Sequence, residues 1–200
     1  MELRDALAQI SEIREHVART ETFRGYRSEI IAFSALVAVI AGGIQAAYIP
    51  DPQQTPSAWL ALWIAAACLC VAATGLEMAV RRRRIASAWA ARLTWLAIEQ
   101  FLPCLIAGAL VTAALARFTP ESLALLPGLW AVLFSLGIFA SCRLLPRATF
   151  WVGGYYLLSG AAALACGEQA LSPWVMIGCF GVGQASAAGV LYWFLERGDD

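Results

Sequence analysis

Long apolar stretches separated by short polar connections fill most of the chain. Six of them, at 30–49, 58–80, 93–116, 123–142, 148–166 and 173–195, run close to or beyond the length of a membrane span. About 20 apolar residues, at 1.5 Å each along a helix, cross a hydrocarbon core of roughly 30 Å. Each stretch therefore predicts a transmembrane helix. The segment before them has a different pattern. Across residues 2–20, Leu3, Ala6, Leu7, Ile10, Ile13 and Val17 recur at three- and four-residue steps, with Glu12, Arg14, Glu15 and Arg19 mainly off that stripe. This is the period of an amphipathic helix. The expected fold is all-α: a polytopic membrane bundle of six transmembrane helices with a short cytoplasmic N-terminal amphipathic helix. It divides into an arm (1–29), a transmembrane domain (30–195) and a tail (196–200).

Composition agrees with this pattern. The chain has 200 residues, 60% hydrophobic and 14% charged, where a soluble domain carries about 25% charged. Its formal net charge is zero, so it exerts no general attraction on nucleic acid. It contains neither Lys nor Asn. Without Lys there is no Schiff-base chemistry and no phosphate-loop lysine; without Asn there is no N-glycosylation acceptor.

The arginines set an orientation. Of the 14 basic residues only Arg117 falls in a connection assigned outside. The rest precede the first span, lie between spans 2 and 3 (Arg81, Arg82, Arg83, Arg84 and Arg92) or 4 and 5, or follow span 6. Arginine-rich loops stay cytoplasmic, which predicts N-in, C-in in a bacterial cytoplasmic membrane. The arm is long and mixed in charge, unlike the basic start of a cleaved leader. Trp59, Trp130 and Trp174 fall at the outer ends of spans, and Trp89, Trp95, Trp151 and Trp193 at the inner ends. Indoles favour the headgroup level, so two belts are expected. Each outer connection also leads into its span with Pro and then Trp: Pro56 and Trp59, Pro127 and Trp130, Pro173 and Trp174. Proline suits a helix start because its missing N–H would be unpaired there. The recurrence fits either three repeated hairpins or a requirement shared by any outward hairpin.

Polar groups within spans are costly and so informative. Glu77 lies four residues before Arg81 and is placed to pair with it at i,i+4. Glu99, followed by Gln100 and by Pro103 one turn on, is the strongest candidate for an intramembrane polar site. The proline should free the carbonyl of residue 99 and bend the helix there. Gln184 falls at the centre of span 6, within a row of small residues, Gly181, Ala185 and Gly189. Ala38, Gly42 and Ala46 form a similar row in span 1. Such rows let another helix approach closely, and Gln184 is expected to hydrogen-bond across that contact. Gln45, Glu168 and Gln169 are expected near the outer surface, within reach of water.

The remaining inventory excludes several chemistries. The one histidine, His16, lies in the arm, which leaves no His within a span for haem or a Ser-His dyad. No span contains Asp, as an intramembrane aspartyl protease needs, and no His-Glu-x-x-His or Cys-x-x-Cys occurs. The six cysteines all lie in spans and read as small packing residues. No catalytic residue, metal or cofactor is expected; a bound lipid is compatible with the pattern.

Three segments carry a resemblance: Glu12-Ile13-Arg14 leading to Thr22-Phe23-Arg24, the run from Pro103 to Leu115, and Leu126-Pro127-Gly128-Leu129-Trp130. They resemble a family of uncharacterised bacterial six-helix integral membrane proteins. Genes of that family accompany small winged-helix regulators, so the resemblance implies a sensing or regulatory role and assigns no functional residue. The expected function is a non-enzymatic scaffold or regulatory subunit. It would meet a protein partner through residues 2–20 or through the loop of Arg81, Arg82, Arg83 and Arg84, which also anchors topology against anionic headgroups. A homo-oligomer through the small-residue rows is also compatible. The alternatives are a small-solute or proton-coupled ion carrier using Glu99 and Gln100, and a lipid enzyme using the same carboxyls.

Overall fold

A computed structural model describes residues 28–84, 88–142 and 146–196. The arm at 2–20, with His16, lies outside the described residues. Among the described residues the chain is almost entirely helical, without strands. Helix α1 is Ser28–Tyr48, α2 is Pro56–Arg84 and α3 is Ala88–Phe118. A 3₁₀ turn, Pro120–Leu125, leads into α4, Leu126–Ser141. Helix α5 is Thr149–Ala165, followed by a second 3₁₀ turn, Gly167–Leu171. The last helix, α6, begins as an α-helix at Pro173–Met176, widens to a π-helix at Ile177–Val182, returns to α at Gly183–Leu191 and ends as a π-helix at Tyr192–Glu196.

Five of these runs are long and apolar enough to cross a membrane: Ser28–Tyr48, Pro56–Val80, Ile98–Phe118, Pro120–Ser141 and Pro173–Phe194. The fifth expected span, 148–166, forms α5, whose 17 residues rise only about 25 Å. That is somewhat less than the ~30 Å hydrocarbon core. The most apolar part of α3 begins at Ile98. Glu99 and Gln100 therefore stand at the edge of that part, rather than seven residues into a span beginning at 93.

Proline starts are as the pattern predicts. Pro56 opens α2, Pro127 is in the first turn of α4, and Pro173 opens α6. These starts share one end of the bundle, the proline end, with the connections at 49–55, 119–125 and 166–172. The opposite end carries the arginine-rich connections and is the arginine end. Chain reversal after α5 uses Gly167 at φ +56°, a left-handed conformation that costs glycine little.

Helices α4 and α5 form the tightest pair, and they run antiparallel. Gly128 faces Gly160 and Leu164, Gly160 faces Ala131 and Val132, and Gly153 faces the ring of Phe139. A Cβ built on Gly128 would stand 2.7 Å from the carbonyl oxygen of Gly160, so the backbones touch where no side chain intervenes. Helices α1 and α6 also run antiparallel. A Cβ on Gly42 would strike Ile177, and one on Gly181 would press on Val39. Helix α2 packs on α1 and α3 packs on α4, yet among the described residues α2 and α3, consecutive in the chain, share no extended packing.

Candidate functional site

The most organised cluster lies at the proline end. It buries Ala38, Ala41, Trp59, Trp63, Leu123, Leu126, Leu171 and Met176, with Val111, Leu115 and Trp130 packed against them. Its centre is polar. Gln45, fully buried at 0% exposure, accepts a hydrogen bond from Trp63 Nε1 at 2.8 Å. Its own Nε2 donates to the carbonyl of Leu171 at 2.6 Å. One side chain of α1 thereby holds α2 and the 3₁₀ turn before α6. This corrects the expectation that Gln45 reaches water. It continues the inward face of Ala38, Ala41 and Gly42 at three- and four-residue steps, and all four are buried.

A second link lies beside it. Trp130 Nε1 donates to Thr112 Oγ1 at 2.8 Å, and Thr112 Oγ1 donates to the carbonyl of Gly108 at 2.7 Å. The Trp130 ring stacks on Trp59 with centroids 5.8 Å apart and planes within 5°. Offset stacking of this kind is favourable beyond the area it buries. Trp59 is 0% exposed, and its Nε1 is buried without a hydrogen-bond partner. The outer belt expected at the headgroup level is therefore divided. Trp174 is exposed, whereas Trp59 turns into the bundle and stacks on a half-buried Trp130. Three indoles, one amide and one hydroxyl together form a layer across α1, α2, α3 and α4.

The middle of the bundle holds a second cluster around Ala131, Ile138, Val152 and Tyr156, with Phe101, Phe134 and Phe180 against it. Tyr156 is 0% exposed, and its phenol lies against Gly183, where an added Cβ would stand 2.6 Å from Oη. Neighbouring Tyr155 donates its hydroxyl to the carbonyl of Gly178, inside the π-helical stretch, at 2.5 Å.

The residues singled out by sequence are scattered among these features. Glu99 is exposed on α3. Gln100, one step on, is half-buried, and its Oε1 is buried without a partner; adjacent helical residues point about 100° apart, so the two do not share a pocket. Glu77 is half-buried with Oε2 unpartnered. The side chains of Arg81, Arg82, Arg83 and Arg84 lie outside the described residues, so the Glu77–Arg81 pair does too. Gln184 is half-buried and makes no side-chain hydrogen bond among the described residues; the bond expected across the helix contact is not formed there. Of the two small-residue rows, Ala38, Gly42 and Gly181 are buried, while Ala46, Ala185 and Gly189 are exposed. The contact thus uses one end of each row. All six cysteines are free thiols. Among the described residues, no three His, Cys, Asp or Glu side chains gather to hold a metal.

Sequence reasoning placed Trp59 and Gln45 near the outer ends of their spans but missed that both turn inward, Gln45 onto Trp63. The signal available was the shared face of Ala38, Ala41, Gly42 and Gln45. Comparison with known proteins adds nothing by descent: no family model, no curated relative and no solved structure matches the chain.

Proposed function

We propose that this chain is a non-enzymatic integral membrane protein that acts through a protein partner, as a scaffold or as a regulatory, sensing subunit. One observation carries this reading. In α2 and α3 only 11% and 6% of the apolar window is buried within the chain, against 39% in α1 and 44% in the run that ends with α4. Among the described residues each of these two long helices has a single extended helical neighbour, and their outward faces carry Ile64, Leu69, Leu76, Ile106 and Leu110. Lipid tails solvate such faces, and so do the helices of another subunit. The arginine distribution supports N-in, C-in placement in a bacterial cytoplasmic membrane. That places residues 2–20 and the loop of Arg81, Arg82, Arg83 and Arg84 on the partner's side of the membrane. The test is deletion of residues 2–20, followed by purification in mild detergent. Loss of a stoichiometric companion from a bundle that keeps its size-exclusion profile is the expected result. Retention of the companion moves the contact to the arginine loop or the α2–α3 face, and absence of any companion from the full chain overturns the reading.

A second reading, a small-solute or proton-coupled carrier, is supported by two separate groups of α3, the buried unpaired oxygen of Gln100 and the exposed carboxyl of Glu99. It requires flux into proteoliposomes that falls in Glu99→Gln. Flux unchanged by that substitution removes Glu99 from the reading.

A further inference from the structure

Among the described residues, six buried side-chain polar atoms lack a hydrogen-bond partner: Trp59 Nε1, Glu77 Oε2, Gln100 Oε1, Ser135 Oγ, Thr149 Oγ1 and Tyr156 Oη. Their placement is uneven. At the proline end Gln45, Trp63, Thr112 and Trp130 are all paired, and Trp59 alone is not. The other five lie between the middle of the bundle and the arginine end. Glu77 and Gln100 stand near that end of α2 and of the apolar part of α3. Thr149 begins α5 there, and Ser135 and Tyr156 lie deeper, at matching heights of the antiparallel α4–α5 pair.

The hydroxyls of Ser135 and Thr149 can swing back to a carbonyl of their own chain. Tyr156, Gln100 and Glu77 have no such recourse. The phenol of Tyr156 is rigid and confined by Gly183, Phe134 and Phe180. A buried polar group that finds no partner in the protein is ordinarily satisfied by ordered water. Water suits this set because it donates to the two acceptor oxygens and serves a hydroxyl in either sense. Two further observations mark the deep end. The stretch Ile177–Val182, immediately before Gly183, is π-helical, a geometry frequent at functional sites. Gln184, immediately after Gly183, makes no side-chain hydrogen bond among the described residues.

We propose that the bundle takes up ordered water from its arginine end as far as Tyr156, Gly183 and Gln184, and that the indole layer around Gln45 seals the other end. The inference goes beyond the partner reading, because a one-ended hydrated crevice is open to a lone bundle and to a subunit alike.

The first test is hydroxyl-radical footprinting of the unmodified full chain in lipid nanodiscs by X-ray radiolysis, which generates the radical from water in place. Tyr156 is 0% exposed and Trp63 is buried, and tryptophan is the more reactive ring. The crevice predicts that Tyr156 is nonetheless oxidised several-fold faster than Trp63. Oxidation of Tyr156 no faster than Trp63 overturns it. Direction is tested separately in proteoliposomes, on a variant with all six cysteines replaced, with Gln100→Cys, Ser135→Cys and Ala41→Cys added singly. A membrane-impermeant maleimide should label positions 100 and 135 from one face only, the face on which the arginine loops lie, and leave position 41 unlabelled. Labelling of position 135 from the opposite face, or at the rate of position 41, refutes the sealed layer.

Discussion

Replacing Gln45 with leucine isolates the energetic role of the indole layer. The two side chains are close in volume, so the change opens little cavity, and its cost is polar. Two groups lose their partner at once: Trp63 Nε1, which donates to Gln45 at 2.8 Å, and the Leu171 carbonyl, which accepts at 2.6 Å. Leaving a buried group unpaired costs about 1–3 kcal/mol in soluble proteins. Within a bilayer the measured worth of a side-chain hydrogen bond averages about 0.6 and reaches about 1.7 kcal/mol, because the unfolded helices also find partners. The membrane scale governs here, but both bonds fail together at a position with 0% exposure. The expected loss is therefore about 1–3 kcal/mol. The assay is reversible unfolding in mixed micelles, run as a double-mutant cycle with Trp63→Phe. Because the two substitutions remove one shared bond, their costs should fall short of additivity by about 0.6–1.7 kcal/mol. A Gln45→Leu protein within about 0.5 kcal/mol of the parent, a change typical of an uninvolved site, or strictly additive singles would refute the hub.

Four further predictions concern packing and exposure. Trp59→Phe keeps an aromatic ring on Trp130 while removing an indole N–H that has no partner. It should cost less than Trp63→Phe, which strands Gln45 Oε1, and equal losses in parallel melts would contradict the assignment. Gly128→Ala drives a methyl toward the Gly160 carbonyl and Leu164 and should destabilise by about 1–3 kcal/mol. Gly75→Ala meets nothing within 4 Å and should leave stability unchanged or raise it by up to about 1 kcal/mol, so a loss in the isolated protein would show that this face of α2 is covered. Glu99→Gln alters an exposed side chain and should leave the melting temperature of the detergent-solubilised protein unchanged; a marked shift would place Glu99 in the core.

Depth was readable from the sequence; direction was not. Hydropathy finds where a chain lies in an apolar medium, and it located the helices from α1 to α6 and their proline starts. It does not say which side of a helix faces its neighbours, because a membrane helix is apolar all round. That is why α2 and α3, with apolar stretches as long as the others, gave no sign that they would be peripheral. Trp59 and Trp174 each follow a helix-opening proline, yet one is sealed inside and the other exposed. The difference is set by the partner ring of Trp130, some 70 residues away. Gln45 was misjudged for a related reason. It stands near the end of its span, where polar side chains usually reach headgroups, but its helical face is the one that α2 and α6 cover. The π-helical stretches of α6 had no signal in the periodicity, since one wide turn barely shifts the apolar pattern.

Native mass spectrometry of the full chain, released in mild detergent from the membranes that produce it, tests the central claim most directly, because it weighs the bundle together with whatever it holds. The account predicts a stable complex containing a second, different polypeptide in fixed ratio. A spectrum of the bare chain, alone or only with copies of itself, under conditions where the helical bundle stays folded, would contradict it.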